Sequence, residues 1–114
     1  MSHDDWKVFE LPDLLEKKAG MSAPYLEFLR VPSLSAGIYQ LKAGAKDLQG
    51  PHDEDELYFV ISGRARLRVG DEDRQVEPGH LLYVRATSEH HFFEIEEDIT
   101  LLAFFGSGGP ASDD

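Results

Sequence analysis

"GAKDLQGPHDEDELYFVISG", residues 44–63, has a regular punctuation: Gly44, five residues, Gly50, one residue, His52, three residues, Glu56, six residues, Gly63. The histidine leads into four consecutive acids, and these run into "LYFVI", an aromatic and β-branched segment of strand type closed by glycine. The stretch is either a solvated acidic turn that joins two strands or the rim of a metal pocket, in which His52 and Glu56 are the candidate ligands for one ion. In an uninterrupted strand, residues four apart lie roughly 13 Å from each other, near the limit their side chains can jointly span. The pair therefore requires a bend at Asp53, Glu54 and Asp55, so that His52 ends one strand and Glu56 begins its neighbour. Pro51 and the three turn-tolerant polar residues suit such a bend. Without it, Glu54 shares the face of His52 and replaces Glu56 as the candidate. Tyr58 and Val60 share the face of Glu56 in a regular strand, where they either line a cavity or fill a core.

On either side of this stretch the chain reads as short strands broken by turn residues. "PYLEFLRV" (24–31) and "LSAGIYQLKAG" (34–44) precede it, separated by Pro32 and Ser33. "ELYFVISG" (56–63) and "RARLRVG" (64–70) follow as two strands; in the second, Ala65, Leu67 and Val69 alternate with Arg64, Arg66 and Arg68, one face buried and one wet. A hairpin turn "GDED" (70–73) leads to "RQVE" (74–77), and "PGH" (78–80) turns the chain into "LLYVR" (81–85). "HHFFEIEE" (90–97) and "ITLLAFF" (99–105) close the series, with Asp98 between them. His90 and His91 point to opposite faces, so only one can enter an interior. A single helix is expected over 12–20, with Pro12 at its start, Lys17 and Lys18 at its end and Gly20 as a left-handed stop. Many short strands with almost no helix must close on one another as a sandwich or barrel.

The 114 residues suffice for one core. Twenty-two acidic residues against 11 basic ones leave a formal charge of −11, which repels phosphate backbones and anionic lipid; neither nucleic acid nor membrane is an expected partner. The absence of cysteine removes disulfides, thiolate nucleophiles and cysteine-held zinc or iron–sulfur centres. No apolar run reaches the roughly 20 residues of a membrane span, and "MSHDDWK" is not of signal-peptide type, so a cytoplasmic location is expected. No serine sits in a nucleophile elbow.

The segment 44–63 resembles the first motif of the cupin superfamily, with Gly50 standing where the first of its two histidines would be. "EPGHLLYVRATSEHHFFE" (77–94) resembles the second: Pro78 and Gly79 match the turn, His80 takes the usual Asp place, Arg85 the proline, Thr87 the glycine and Glu94 the asparagine, and His90 falls on the ligand histidine. The resemblance covers roughly residues 34–105 and implies an all-β, jelly-roll barrel of the double-stranded β-helix type with one short N-terminal helix. The expected domain layout is an N-terminal extension over 1–23, the barrel over 24–106 and a disordered tail over 107–114.

The resemblance further implies a homodimer, for which Phe93 and Ile95 offer an outward apolar face, and a metal site of His52, Glu56 and His90. Two imidazoles and a carboxylate suit iron(II), manganese, nickel or zinc with positions left open. Phe92 and Glu94 share the face of His90, which makes Glu94, with Tyr58, a substrate-pocket candidate. Gln40 and Tyr39 face opposite ways, and one of them is expected to reach the pocket. The function expected is a metal-binding protein acting on a small organic molecule in the barrel; the alternative is a non-catalytic binding module with a degenerate metal site. A cupin scaffold names no reaction.

Overall fold

The computed structural model describes residues 5–47 and 53–106. They form α1 (Leu11–Ala19), β1 (Tyr25–Val31), β2 (Leu34–Leu41), β3 (Asp55–Val69), β4 (Glu72–Val76), β5 (Leu81–Val84) and β6 (His90–Gly106). The expected tail lies outside the described residues. Pro12 opens α1 and Lys17 and Lys18 occupy its last turn. Gly20 does not take the left-handed conformation: its φ is −83°, and the amides of Gly20 and Met21 reach the carbonyls of Lys17 and Lys18 in a tightened last turn. Leu14 is buried, and α1 rests on β1 and β2.

All strand pairs are antiparallel, in the order β1-β2-β6-β3-β4, with β5 also on β3. The first half of β3 lies between β6 and β5, and its second half between β6 and β4. This is the expected all-β jelly-roll barrel. Two details differ from the expectation. The four strands read over 56–70 and 90–105 are two long ones, because glycine and acidic residues at their centres bend the ladder without ending it. The register between β3 and β6 slips three times between Val60 and Arg66, so both strands curve and contribute to opposite walls. Gly63 sits at that bend with φ 94°, and a Cβ there would collide with the Asp98 carbonyl and Ile99 Cα. The glycine that closes the motif is thus required by the close crossing of β6.

The core holds Tyr58, Val60, Leu67, Phe92, Ile99 and Leu101, among others. Ile95 belongs to it as well, 4% exposed, which corrects the expectation of an outward Ile95 at a dimer contact. The arginine stripe is wet, as expected: Arg66 and Arg68 pair with Asp73, and Arg64 reaches Glu96 and Glu97. Among the described residues no helix is long and apolar enough to cross a membrane.

Candidate functional site

Asp53 and Glu54 form a bend, and β3 begins at Asp55. The strand then alternates, with Asp55 and Leu57 outward and Glu56, Tyr58 and Val60 buried. Glu56, at 2% exposure, enters the interior, whereas Glu54 stays half-buried at the mouth. The Asp55 carboxylate accepts the Ala86 amide at 2.8 Å and so ties the start of β3 to the turn ahead of β6. In that turn Thr87 has a φ of 67°, the left-handed conformation that explains why the related motif places glycine there.

His90 is the first residue of β6 and is buried. Its Nδ1 lies 3.0 Å from the Ser88 carbonyl, and because a carbonyl only accepts, Nδ1 carries the proton. Nε2 therefore faces inward, 3.1 Å from Glu56 Oε1 and 3.1 Å from the Tyr58 hydroxyl. That hydroxyl donates to Glu56 Oε1 at 2.5 Å. Three buried polar groups thus meet at one point. Burial by itself would depress the His90 pKa, but the Glu56 contact, the Ser88 carbonyl and the charges of Glu56 and Asp47 together outweigh it, and the imidazole is raised above its ordinary value.

Of the residues expected from sequence, Glu56, Tyr58 and His90 come together. His52 lies outside the described residues, and among the described residues no group of three or more His, Cys, Asp or Glu is placed to hold a metal ion. Glu94 does not join them. It has a φ of 46° and is exposed, and the alternation His90, Phe92 resumes one residue late, at Ile95. The left-handed residue turns Glu94 out of the face on which strict alternation would put it. This corrects its assignment to the substrate pocket.

A cavity of about 270 Å³ opens beside Tyr58, lined also by Tyr25, Glu27, Arg30, Ser35, Tyr39, Glu54, Ala103 and Phe105. The register explains the set. Ser35, Phe105, Glu56 and Val84 are successive cross-strand partners, and so are Gly37, Ala103, Tyr58 and Leu82. Of the two residues that face opposite ways on β2, it is Tyr39 that reaches the pocket; Gln40 instead hydrogen-bonds Thr100. A bulge in β1 between Glu27 and Leu29 sets Arg30 opposite Ser35, on the cavity side with Glu27. The two side chains form a fork, Nε to Oε2 at 2.9 Å and Nη2 to Oε1 at 2.7 Å.

Sequence reasoning missed Asp47. One of its oxygens accepts the Tyr39 hydroxyl at 2.5 Å and the other the Phe92 amide at 2.8 Å, which fastens the chain beyond β2 to both β2 and β6. Nothing in a lone aspartate between two glycines signals this. Arg30 was missed for another reason: it shares the face of Tyr25 and Glu27 only because of the bulge between them.

A family model described as a cupin domain matches residues 37–105. An uncharacterized protein of Streptomyces coelicolor is 46% identical over 99 residues, 87% of this chain and 94% of the relative. Among solved structures, KdgF from Halomonas sp. superposes with a TM-score of 0.66 at 20% identity, over 75% of this chain and 79% of that one. The cupin domain of Schizosaccharomyces pombe Cnp3 gives 0.67 at 14% identity, over 74% and 60% of the two chains. The DMSP lyase DddQ from Ruegeria pomeroyi gives 0.63 at 20% identity, and this chain covers 42% of that lyase. At such identities the structural likenesses concern the fold.

Proposed function

Because this chain belongs to the cupin domain family, we propose that it binds a divalent metal ion through His52, Glu56 and His90 and acts on a small organic molecule in the adjoining cavity. The observation that carries this reading is the buried meeting of Glu56 Oε1 and His90 Nε2 at 3.1 Å. That separation would let both atoms hold one ion at ordinary ligand distances of about 2.0–2.2 Å. The donor chemistry fits too: the Ser88 carbonyl fixes the proton on Nδ1 and leaves Nε2 as the ligating nitrogen. Imidazole with carboxylate suits iron(II), manganese, nickel or zinc.

An ion bound there supplies Lewis acidity or a site for activating dioxygen. The chain's own groups do the rest. The Tyr58 hydroxyl donates to Glu56 and holds the carboxylate in place. Tyr58 also forms part of the cavity wall and so positions the substrate next to His90. The reaction class stays open in this reading, since a cupin barrel hosts several.

One observation favours the rival reading of a non-catalytic binding module. Tyr58 already bridges Glu56 and His90 without an ion, its hydroxyl donating to Glu56 and its oxygen accepting from Nε2 when the imidazole is charged, and Gly50 withdraws a family ligand. Elemental analysis of tag-free protein, purified without chelator, separates the two. We expect about one divalent ion per chain, lost in His52→Ala and His90→Ala. Wild-type protein that stays empty after soaking in iron, manganese, nickel and zinc would hand the case to the binding module.

The assembly we propose is a homodimer in the cytoplasm. It uses the outer face of β3 and β5, where Leu57 pairs with Tyr83 and where Leu81 and Tyr83 are 65% and 63% exposed. Light scattering on wild type and on Tyr83→Glu tests it: a wild-type monomer, or a variant that still dimerises, would refute this face.

A further inference from the structure

The cavity beside Tyr58 has aromatic walls behind a charged rim. Tyr25, Tyr39 and Phe105 line it, each half-buried, and Glu27, Arg30 and Glu54 stand at its mouth. The Tyr25 hydroxyl is enclosed against Gly37 and takes no part; only its ring forms a wall. Tyr39 and Phe105 meet that ring at 66° and 84°, with centroids 6.2 and 6.1 Å away. In an edge-on pair at least one ring keeps both faces out of the contact, so the three do not stack shut against each other.

The rim has a surplus of negative charge. Glu27 holds Arg30 in a fork of two hydrogen bonds, so these two charges offset each other. Glu54 has no hydrogen bond or ion pair among the described residues, which leaves the mouth net negative in a chain of formal charge −11. The field extends inward: burial, and then the Glu27 carboxylate, push the Tyr25 phenol up to about 12, and Glu54 and Glu56 act in the same direction against Arg30 alone.

This arrangement selects among ligands. An anion reaching for the three N–H donors that Arg30 keeps meets Glu27 and Glu54 as well, two like charges for one opposite charge. A cation gains twice, from the carboxylates at the rim and from the π faces inside. An inorganic ion needs oxygen ligands in place of its water, and aromatic walls do not supply them. An alkylated ammonium instead buries its carbon against the rings.

We propose that the cavity takes a small organic monocation, an alkylated ammonium whose charged head lies among Tyr25, Tyr39 and Phe105 within the field of Glu54 and Glu27. A cavity of about 270 Å³ limits it to less than drug size. Neither Glu56 nor His90 lines the cavity, so the head does not take the position proposed for the metal. The inference rests on the small-molecule reading of the barrel and gives it a substrate class.

The test is an NMR titration at low ionic strength with three probes of one shape: choline, its uncharged isostere 3,3-dimethylbutan-1-ol, and the anion 3,3-dimethylbutanoate. Choline is expected to bind wild-type protein at least about fivefold more tightly than the alcohol. Its methyl protons should move upfield over the ring faces, with amide shifts confined to the cavity residues, and its affinity should fall as salt rises. Glu54→Gln should weaken choline about two- to fivefold. Arg30→Gln should tighten it, and both variants should leave the alcohol within about twofold. An alcohol or anion that binds as tightly as choline, or choline binding indifferent to both salt and Glu54→Gln, overturns the ligand class while leaving a small-molecule barrel standing. If none of the three binds, the inference falls, and the elemental analysis alone then judges the barrel reading.

Discussion

His90 Nε2 lies 3.1 Å from Glu56 Oε1, and both side chains are almost fully enclosed, at 1% and 2% exposure. The second residue of β3 and the first of β6 thus meet inside the barrel, and the consequences are measurable.

The contact makes stability depend on pH. In metal-free protein the folded-state pKa of His90 is raised above the unfolded value of about 6.5. The stabilisation from the charged imidazole is then fully present below the unfolded value and is lost as pH rises through the folded one. Urea denaturation of chelator-treated wild type and His90→Ala should show a difference in unfolding free energy that shrinks as pH rises from 6 upward. A difference that grows over that range would show the opposite sign.

Tyr58→Phe removes the donor to Glu56 and leaves a buried carboxylate one hydrogen bond short. We expect a loss of about 1–3 kcal/mol with the fold retained, because the ring still packs edge-on against Phe92 at 5.3 Å. Under the metal reading, the affinity for the ion falls too. An unchanged midpoint in urea would argue that the short contact contributes nothing.

Asp47→Ala strips partners from the Tyr39 hydroxyl and the Phe92 amide together. The expected cost is about 2–3 kcal/mol, with Asp47→Asn recovering part of it, since its amide keeps one acceptor oxygen. Amide exchange at Phe92 is the local readout: it should quicken in Asp47→Ala and stay slow in the wild type.

The two motif glycines should behave unlike each other. At Gly63 a Cβ meets the backbone of β6 at a φ of 94°, whereas at Gly44, φ 80°, it meets nothing within 4 Å. Gly44→Ala should cost about 1–3 kcal/mol from its left-handed backbone alone. Gly63→Ala should cost more than about 4 kcal/mol and yield little folded protein, because backbone must move. Comparable thermal midpoints for the two variants would contradict the close crossing.

Much of this was open to reading from the residues. The alternation of Ala65 and Leu67 with arginines fixed the buried face of that half of β3, because side chains on a strand alternate whatever lies across from them. The same logic put Glu56 and Tyr58 on one face once a bend was granted at the acid cluster. It failed where the backbone departs from alternation. Glu94 and Ile95 exchanged places because Glu94 takes a left-handed φ, and Arg30 reached the cavity through the β1 bulge. Neither departure has a glycine or proline to announce it.

The sequence by itself determined the strand-rich barrel, the family and three of the polar residues that meet or stand at the site's edge, because these follow from local periodicity and from spacing along the chain. Only the tertiary structure decided that Tyr58 joins Glu56 to His90, that Asp47 clasps two walls, and that the Tyr25 hydroxyl is left without a partner among the described residues. Those facts depend on register and bulges between strands distant in the chain, where the displacement of one residue carries a side chain from one face of the sheet to the other.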